Sequence, residues 1–131
     1  MKLTRLSLAL VAGLSLQAGA MAKDVIHTAD VGADGKVLRQ SSEWISKVEK
    51  AALDNYYVQY KLVLNPRIIQ QDPDFCSVSA IDASSFDRQL HGQAKVIGKP
   101  VAAQVNVMTQ LVDLMGPSGD NSLAFQVMCV R

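Results

Sequence analysis

Hydrophobic and polar residues alternate along three segments of the chain, residues 56–64, 101–111 and 123–130. A period of two is typical of a strand that buries one face and exposes the other. Shorter alternation over residues 75–81 and 93–97 indicates two further strands with smaller side chains. The pattern therefore predicts a sheet of four to five antiparallel strands.

The assignment of residues 101–115 leaves one alternative open. Five apolar side chains of this segment also share a helical face: Val101, Val105, Met108, Val112 and Met115. The valines and the alternating glutamine and asparagine residues favour the strand over the helix. A turn over residues 116–122 then predicts a hairpin in which residues 123–130 pair with the preceding strand.

A helical period precedes the first long strand. Ser41 or Ser42 can cap a helix, and Glu43 follows in the first turn, where the helix dipole favours an anion. Apolar or small residues then recur at three- and four-residue spacing: Trp44, Ile45, Val48, Ala51, Ala52 and Asn55. This spacing predicts an amphipathic helix of about thirteen residues, with Trp44 as its core anchor.

A helix followed by an antiparallel sheet predicts the α+β fold class. We expect one N-terminal helix to pack on a curled antiparallel sheet of four to five strands. Such a fold is a two-layer α/β sandwich, cystatin-like in outline. A length of 131 residues fits one domain of this kind.

The start of the chain differs in composition from the rest. Lys2 and Arg5 precede an apolar run over residues 6–16, and small residues follow it. This order is typical of a secretory signal peptide, and a run of about eleven apolar residues is too short for a membrane span. We therefore predict a signal peptide over residues 1–22 and a single domain over residues 23–131. We expect the protein to be periplasmic or secreted, without a membrane anchor.

Export changes the interpretation of the two cysteines, Cys76 and Cys129. An oxidising compartment permits a disulfide between them. The bond would close a loop of about 54 residues and stabilise the fold by about 4 kcal/mol. Both cysteines lie in apolar, strand-like surroundings, so two buried free thiols are the alternative. No Cys-x-x-Cys motif supports redox catalysis.

The sequence offers little material for catalysis or metal binding. His27 and His91 do not stand at metal-ligand spacing from another ligand. Two acidic pairs lie in loop-like stretches: Asp72 with Asp74, and Asp82 with Asp87. No serine-nucleophile motif and no phosphate-binding glycine loop are present. We therefore expect no enzymatic activity, no cofactor and no metal.

A binding role is the main functional prediction. A net charge of +1 without a basic block gives no support for nucleic-acid binding. We predict that an unidentified protein partner contacts polar residues of the sheet: Tyr57, Gln59, Lys61, Gln104, Asn106 and Gln126. An edge strand could also pair with a second copy to form a homodimer. The alternative is a small apolar ligand on the concave side of the sheet under the helix. A small hydrolase or a protease inhibitor has less support.

Several passages resemble one family of exported proteins. They are Asp54-Asn55-Tyr56-Tyr57, Phe75-Cys76 and the segment from Phe125 to Val130. Together with the length and the signal-like start, they resemble small bacterial proteins described as quorum-sensing-regulated virulence factors. The resemblance covers nearly the whole chain. It implies an α/β sandwich with antiparallel strands and a secreted role in virulence, and it implies no catalytic residues.

Overall fold

Strands make up most of the chain that the structure describes. The computed structural model describes residues 25–53, 56–113, 116–117 and 120–131. The elements in chain order are β1 (Ile26–Val31), β2 (Val37–Gln40), β3 (Ile45–Leu53), β4 (Tyr57–Leu64), β5 (Phe75–Ala80), α1 (Phe86–His91), β6 (Gly92–Ile97), β7 (Gln104–Asp113), β8 (Gly116–Pro117) and β9 (Phe125–Val130). The predicted signal peptide, residues 1–22, lies outside the described residues.

The strands form two antiparallel sheets. Sheet A has the order β2–β1–β9–β5, and sheet B has the order β3–β4–β7–β6, with the short β8 beside β7. Alternate side chains of both sheets contribute to one core, where the rings of Tyr60 in sheet B and Phe125 in sheet A lie 5.1 Å apart between centroids. The face of each sheet that is turned away from this core is called its outer face below.

The predicted α+β fold with its N-terminal helix is wrong. Residues 45–53 form strand β3, and the only helix within the described ranges is the six-residue α1. β3 pairs with β4, with a register shift between Ile45 and Lys47. β3 is an edge strand that leaves Ala51 and Ala52 exposed, so their helix-like spacing does not mark a buried stripe. Pairing with β4 therefore overrides the local helical preference.

The other predicted strands are confirmed. β4, β5, β6 and β9 lie where the alternation of apolar and polar residues predicts them. Residues 104–113 form strand β7, which decides between the two interpretations of that segment in favour of the strand. In β4, each second residue is buried, as a strand with one core-facing side requires.

The predicted hairpin between β7 and β9 does not form. β7 lies in sheet B, whereas β9 lies in sheet A between β1 and β5. The buried Asn121 stands where the chain leaves sheet B. Its Oδ1 accepts a hydrogen bond from the backbone N–H of Leu111 at 2.9 Å, and its carbonyl accepts one from Thr109 Oγ1 at 2.7 Å. These bonds direct the following residues toward sheet A instead of back along β7.

Two large polar aromatic residues are buried in the core. Trp44 is fully buried, as predicted for a core anchor, but it precedes β3 instead of lying on a helix. Its indole Nε1 donates a hydrogen bond to the carbonyl of Thr28 at 3.0 Å. The fully buried Tyr60 donates its hydroxyl hydrogen to the carbonyl of Ala33 at 2.7 Å. Both buried donors are therefore satisfied, and desolvation raises the pKa of Tyr60.

A disulfide joins the two cysteines. Cys76 on β5 and Cys129 on β9 are direct partners in the antiparallel ladder, and their sulfurs are bonded. Both side chains are buried in the core. This confirms the predicted disulfide and excludes the alternative of two free thiols. The bond fastens the edge strand β5 to the centre of sheet A.

A buried carboxylate connects α1 to the segment before β9. The side chain of Asp82 is only 5% exposed and lies 3.2 Å from Arg88 Nη1. It also accepts hydrogen bonds from the backbone N–H groups of Ser84 and Ala124, at 3.0 and 3.1 Å. Arg88 in turn donates through Nη2 to Asp120 at 3.2 Å. The buried charge is therefore both paired and hydrogen-bonded.

This network makes stability depend on pH in a defined direction. Desolvation raises the pKa of Asp82, but the hydrogen bonds and the Arg88 charge outweigh it and hold that pKa below its ordinary value. The backbone N–H of Ser122 lowers the pKa of Asp120 as well. A carboxyl whose pKa is lower in the folded state contributes stability above its unfolded-state pKa and loses that contribution as pH falls through the folded-state value.

We expect the free energy of unfolding to decrease as pH is lowered from about 5 to about 2. Asp82→Asn removes one of the responsible groups, so the variant should lose less stability over the same range. Urea unfolding followed by circular dichroism at each pH gives both slopes. Equal slopes for the two proteins would show that Asp82 does not contribute.

Candidate functional site

The predicted contact residues divide between the two sheets. Alternate residues of β4 include Tyr57, Gln59 and Lys61, which share one face of the strand. Gln104 and Asn106 lie on the adjacent β7. All five lie on the outer face of sheet B. The sixth predicted residue, Gln126, lies on the outer face of sheet A, because β9 belongs to that sheet. The structure therefore brings five of the six together.

The outer face of sheet B is mostly polar, and several of its polar side chains bond to one another. Gln59 Nε2 donates to Asn106 Oδ1 at 3.3 Å. Glu49 on β3 lies 3.1 Å from Lys47 and 3.9 Å from Lys61. A hydrogen bond from Lys47 and the charges of both lysines lower the pKa of Glu49. This face therefore has the character of a solvated surface with internal pairing.

The outer face of sheet A carries a cluster of exposed apolar side chains. Val130 on β9 is the ladder partner of both Ile26 on β1 and Phe75 on β5, so the three side chains form one row across the sheet. Met128 lies two residues along β9 on the same face. Ile26, Phe75 and Met128 are 56%, 60% and 37% exposed. These four residues are called the apolar patch.

Small polar residues surround the apolar patch. Thr28 and Ser77 flank Met128 in the next row, and both are exposed. They line a shallow concavity of about 270 Å³ that continues along β9 past Gln126. Apolar side chains with a polar rim are the usual arrangement of a protein-binding surface.

Sequence reasoning did not find the apolar patch. The predicted alternation assigned one face of each strand to the core and the other face to solvent. In β9 both faces of the strand carry apolar side chains, because Met128 and Val130 on the outer face alternate with the buried Val127 and Cys129. Apolar residues on both faces of a strand were therefore the available signal, and that signal is also typical of a strand buried on both faces.

The histidines lie apart from each other and have separate surroundings. His27 is half-buried, its ring centroid is 5.6 Å from that of Trp44, and its Nδ1 is 3.5 Å from Ser42 Oγ. His91 lies 3.8 Å from Asp87 on α1. Among the described residues, no group of three or more histidine, cysteine and acidic side chains could hold a metal ion. None of the described helices has the length and hydropathy of a membrane span.

The predicted helix over the ligand site is wrong, because residues 45–53 are a strand and the two sheets pack on each other. The described residues therefore form no site of that geometry, and a small apolar ligand stays a prediction. The predicted homodimer through an edge strand stays a prediction. β3 is the longest edge strand described, and it carries Lys47, Glu49 and Lys50, all exposed. Charged side chains on an edge are typical of strands that resist pairing with another chain.

The comparisons with known proteins identify no relative. No family model, no curated protein and no solved structure matches the chain. The resemblance to exported virulence factors therefore stays a prediction.

Proposed function

We propose that the protein is an exported binding protein that docks a partner protein on the outer face of sheet A. The observation that supports this proposal is the apolar patch. Its row of Ile26, Val130 and Phe75 is contiguous across three strands, and two of these side chains are more than half exposed. A partner of a different sequence, offering apolar anchor side chains, fits this surface.

The apolar patch can supply binding energy that the outer face of sheet B cannot. Apolar surface removed from water contributes about 25 cal/mol per Å². Phe75 and Met128 also suit a contact surface, because aromatic residues and methionine are enriched in interfaces. On sheet B, a partner would first have to displace paired groups such as Gln59 with Asn106 and Lys61 with Glu49. The outer face of sheet B, with its five predicted contact residues, therefore serves as the control surface in the binding experiment below.

Export is the second part of the proposal. It is supported by the signal-like composition of residues 1–22 and by the disulfide between Cys76 and Cys129. Disulfides persist in oxidising compartments such as the periplasm or the exterior of the cell. A role in virulence is supported by the family resemblance alone.

We expect Phe75→Glu and Met128→Glu each to reduce capture of the partner by about tenfold or more, because each places a charge in a desolvated apolar contact. Gln93→Glu is the matched control, since Gln93 is exposed on the outer face of sheet B opposite Gln110. The proteins are immobilised and exposed to extracts of the cell envelope and medium, and captured proteins are quantified by mass spectrometry.

The control determines how a loss of capture is interpreted. A partner that is retained by the original protein and by Gln93→Glu, but not by the two patch variants, supports the proposal. A partner that is lost with Gln93→Glu but retained by the patch variants would contradict the proposal and place the binding surface on sheet B. Thermal unfolding of all four proteins checks that each variant is folded.

A further inference from the structure

A cleft at one end of the fold adjoins the apolar patch and shares one residue with it, Val130. The start of β1, the end of β9 and residues 68–73 surround it, and its volume is about 310 Å³. This is close to the lower limit for pockets that bind small molecules, about 300 Å³. Ile68, Ile69 and Val130 give it an apolar wall, and His27 and Arg131 give it two basic side chains.

The wall of the cleft is held in place by hydrogen bonds. Asp72 Oδ1 accepts from the backbone N–H of Ala102 at 2.7 Å, and the carbonyl of Asp72 accepts from Arg131 Nη1 at 2.9 Å. The backbone N–H of Asp74 donates to the carbonyl of Val130 at 2.8 Å. Residues 68–73 are thus fastened at one end to the segment before β7 and to the end of β9, and the cleft exists before any ligand enters.

The charges around the cleft favour an anion. Among the described residues that line it, none has an acidic side chain. Arg131 is 49% exposed and uses Nη1 for its contacts with Asp72 and with Asp74, the second at 3.7 Å. The Asp74 carboxylate is itself 70% exposed, so it offsets the arginine charge only in part. A guanidinium can donate two parallel hydrogen bonds to a carboxylate through its remaining N–H groups.

We propose that this cleft binds a small aliphatic carboxylate. The aliphatic chain lies against Ile68, Ile69 and Val130, and the carboxylate lies at Arg131 and His27. The apolar wall supplies affinity, and the basic side chains fix the orientation. The site overlaps the apolar patch at Val130 alone, since Ile26, Phe75 and Met128 do not line the cleft.

Titration calorimetry of the protein with octanoate tests the proposal. Octan-1-ol carries the same chain without the charge, and acetate carries the charge without the chain. We expect octanoate to bind at least about tenfold more tightly than either, since a hydrogen bond to a charged group and the burial of an aliphatic chain each contribute that much. Arg131→Gln should weaken the binding of octanoate by about tenfold and leave the binding of octan-1-ol unchanged.

Two further variants locate the site. Ile68→Ser changes a half-buried residue of the apolar wall, and it should weaken the binding of both octanoate and octan-1-ol. Gln93→Glu, on the outer face of sheet B, should leave octanoate binding unchanged, because the added charge lies away from the cleft. Equal binding of octanoate and octan-1-ol would overturn the proposal, as would binding of octanoate that is insensitive to Arg131→Gln. An absence of octanoate binding at millimolar concentration in the folded protein would overturn it as well.

Discussion

Replacing Cys76 and Cys129 together with alanine is expected to lower the free energy of unfolding by about 4 kcal/mol. The two residues are separated by 53 positions, so the bond restricts a large part of the unfolded chain. It also fastens β5, an edge strand that pairs only with β9 within the described sheets. Because small domains are stable by about 5–15 kcal/mol, this is a large share of the total.

Equilibrium unfolding in urea, followed by circular dichroism, measures this effect. Ser77→Ala is the matched control, because Ser77 is the exposed neighbour of Cys76 on the outer face of sheet A. Reduction of the original protein with dithiothreitol should reproduce the effect of the double variant. A loss below about 1 kcal/mol would mean that the bond does not constrain the unfolded chain as the loop length requires.

Trp44→Ala is expected to destabilise the protein by about 3–5 kcal/mol. Trp44 is fully buried, so the substitution leaves a cavity beside the core residues of both sheets. It also leaves the carbonyl of Thr28 without the indole donor. Trp44→Phe fills most of the cavity and removes the indole donor, while the carbonyl of Thr28 still accepts from the backbone N–H of Ser41 at 2.9 Å. We therefore expect this variant to cost only about 0.5–1.5 kcal/mol.

The same urea experiment distinguishes the two contributions of Trp44. Circular dichroism is the appropriate signal, since Trp44 is the single tryptophan of the chain and its fluorescence is lost in both variants. Equal destabilisation by alanine and phenylalanine would assign the effect to the hydrogen bond with Thr28. A negligible effect of both would contradict the burial of this side chain in the core.

The sequence predicted the strands better than it predicted their arrangement. β4 and β7 have one buried and one polar face, so their alternation was visible locally. β3 lies at an edge of its sheet and exposes most of its side chains. Its sequence therefore lacks the alternation of a half-buried strand, and the three- and four-residue spacing of its small residues predicted a helix instead. The short helix α1 has a local start signal, because Ser85 caps it by accepting a hydrogen bond from the backbone N–H of Arg88.

Which strands share a sheet could not be predicted from local pattern. β9 follows β7 in the chain, yet it pairs with β1 and β5, and the bonds of Asn121 that direct this crossing depend on tertiary contacts. The same limit applies to the candidate site. Five of the six predicted contact residues lie on one face because β4 and β7 are neighbours, whereas Gln126 lies on the second sheet, which the sequence did not predict.

Site-specific photocrosslinking compares the two outer faces most directly. A benzoylphenylalanine side chain replaces Phe75 on sheet A in one protein and Gln93 on sheet B in the other, and both are irradiated in the producing cells. We expect a discrete adduct with another protein from position 75 and none from position 93. An adduct from position 93 alone would contradict the proposed binding face, and an adduct of twice the chain mass from position 75 would identify a second copy as the partner.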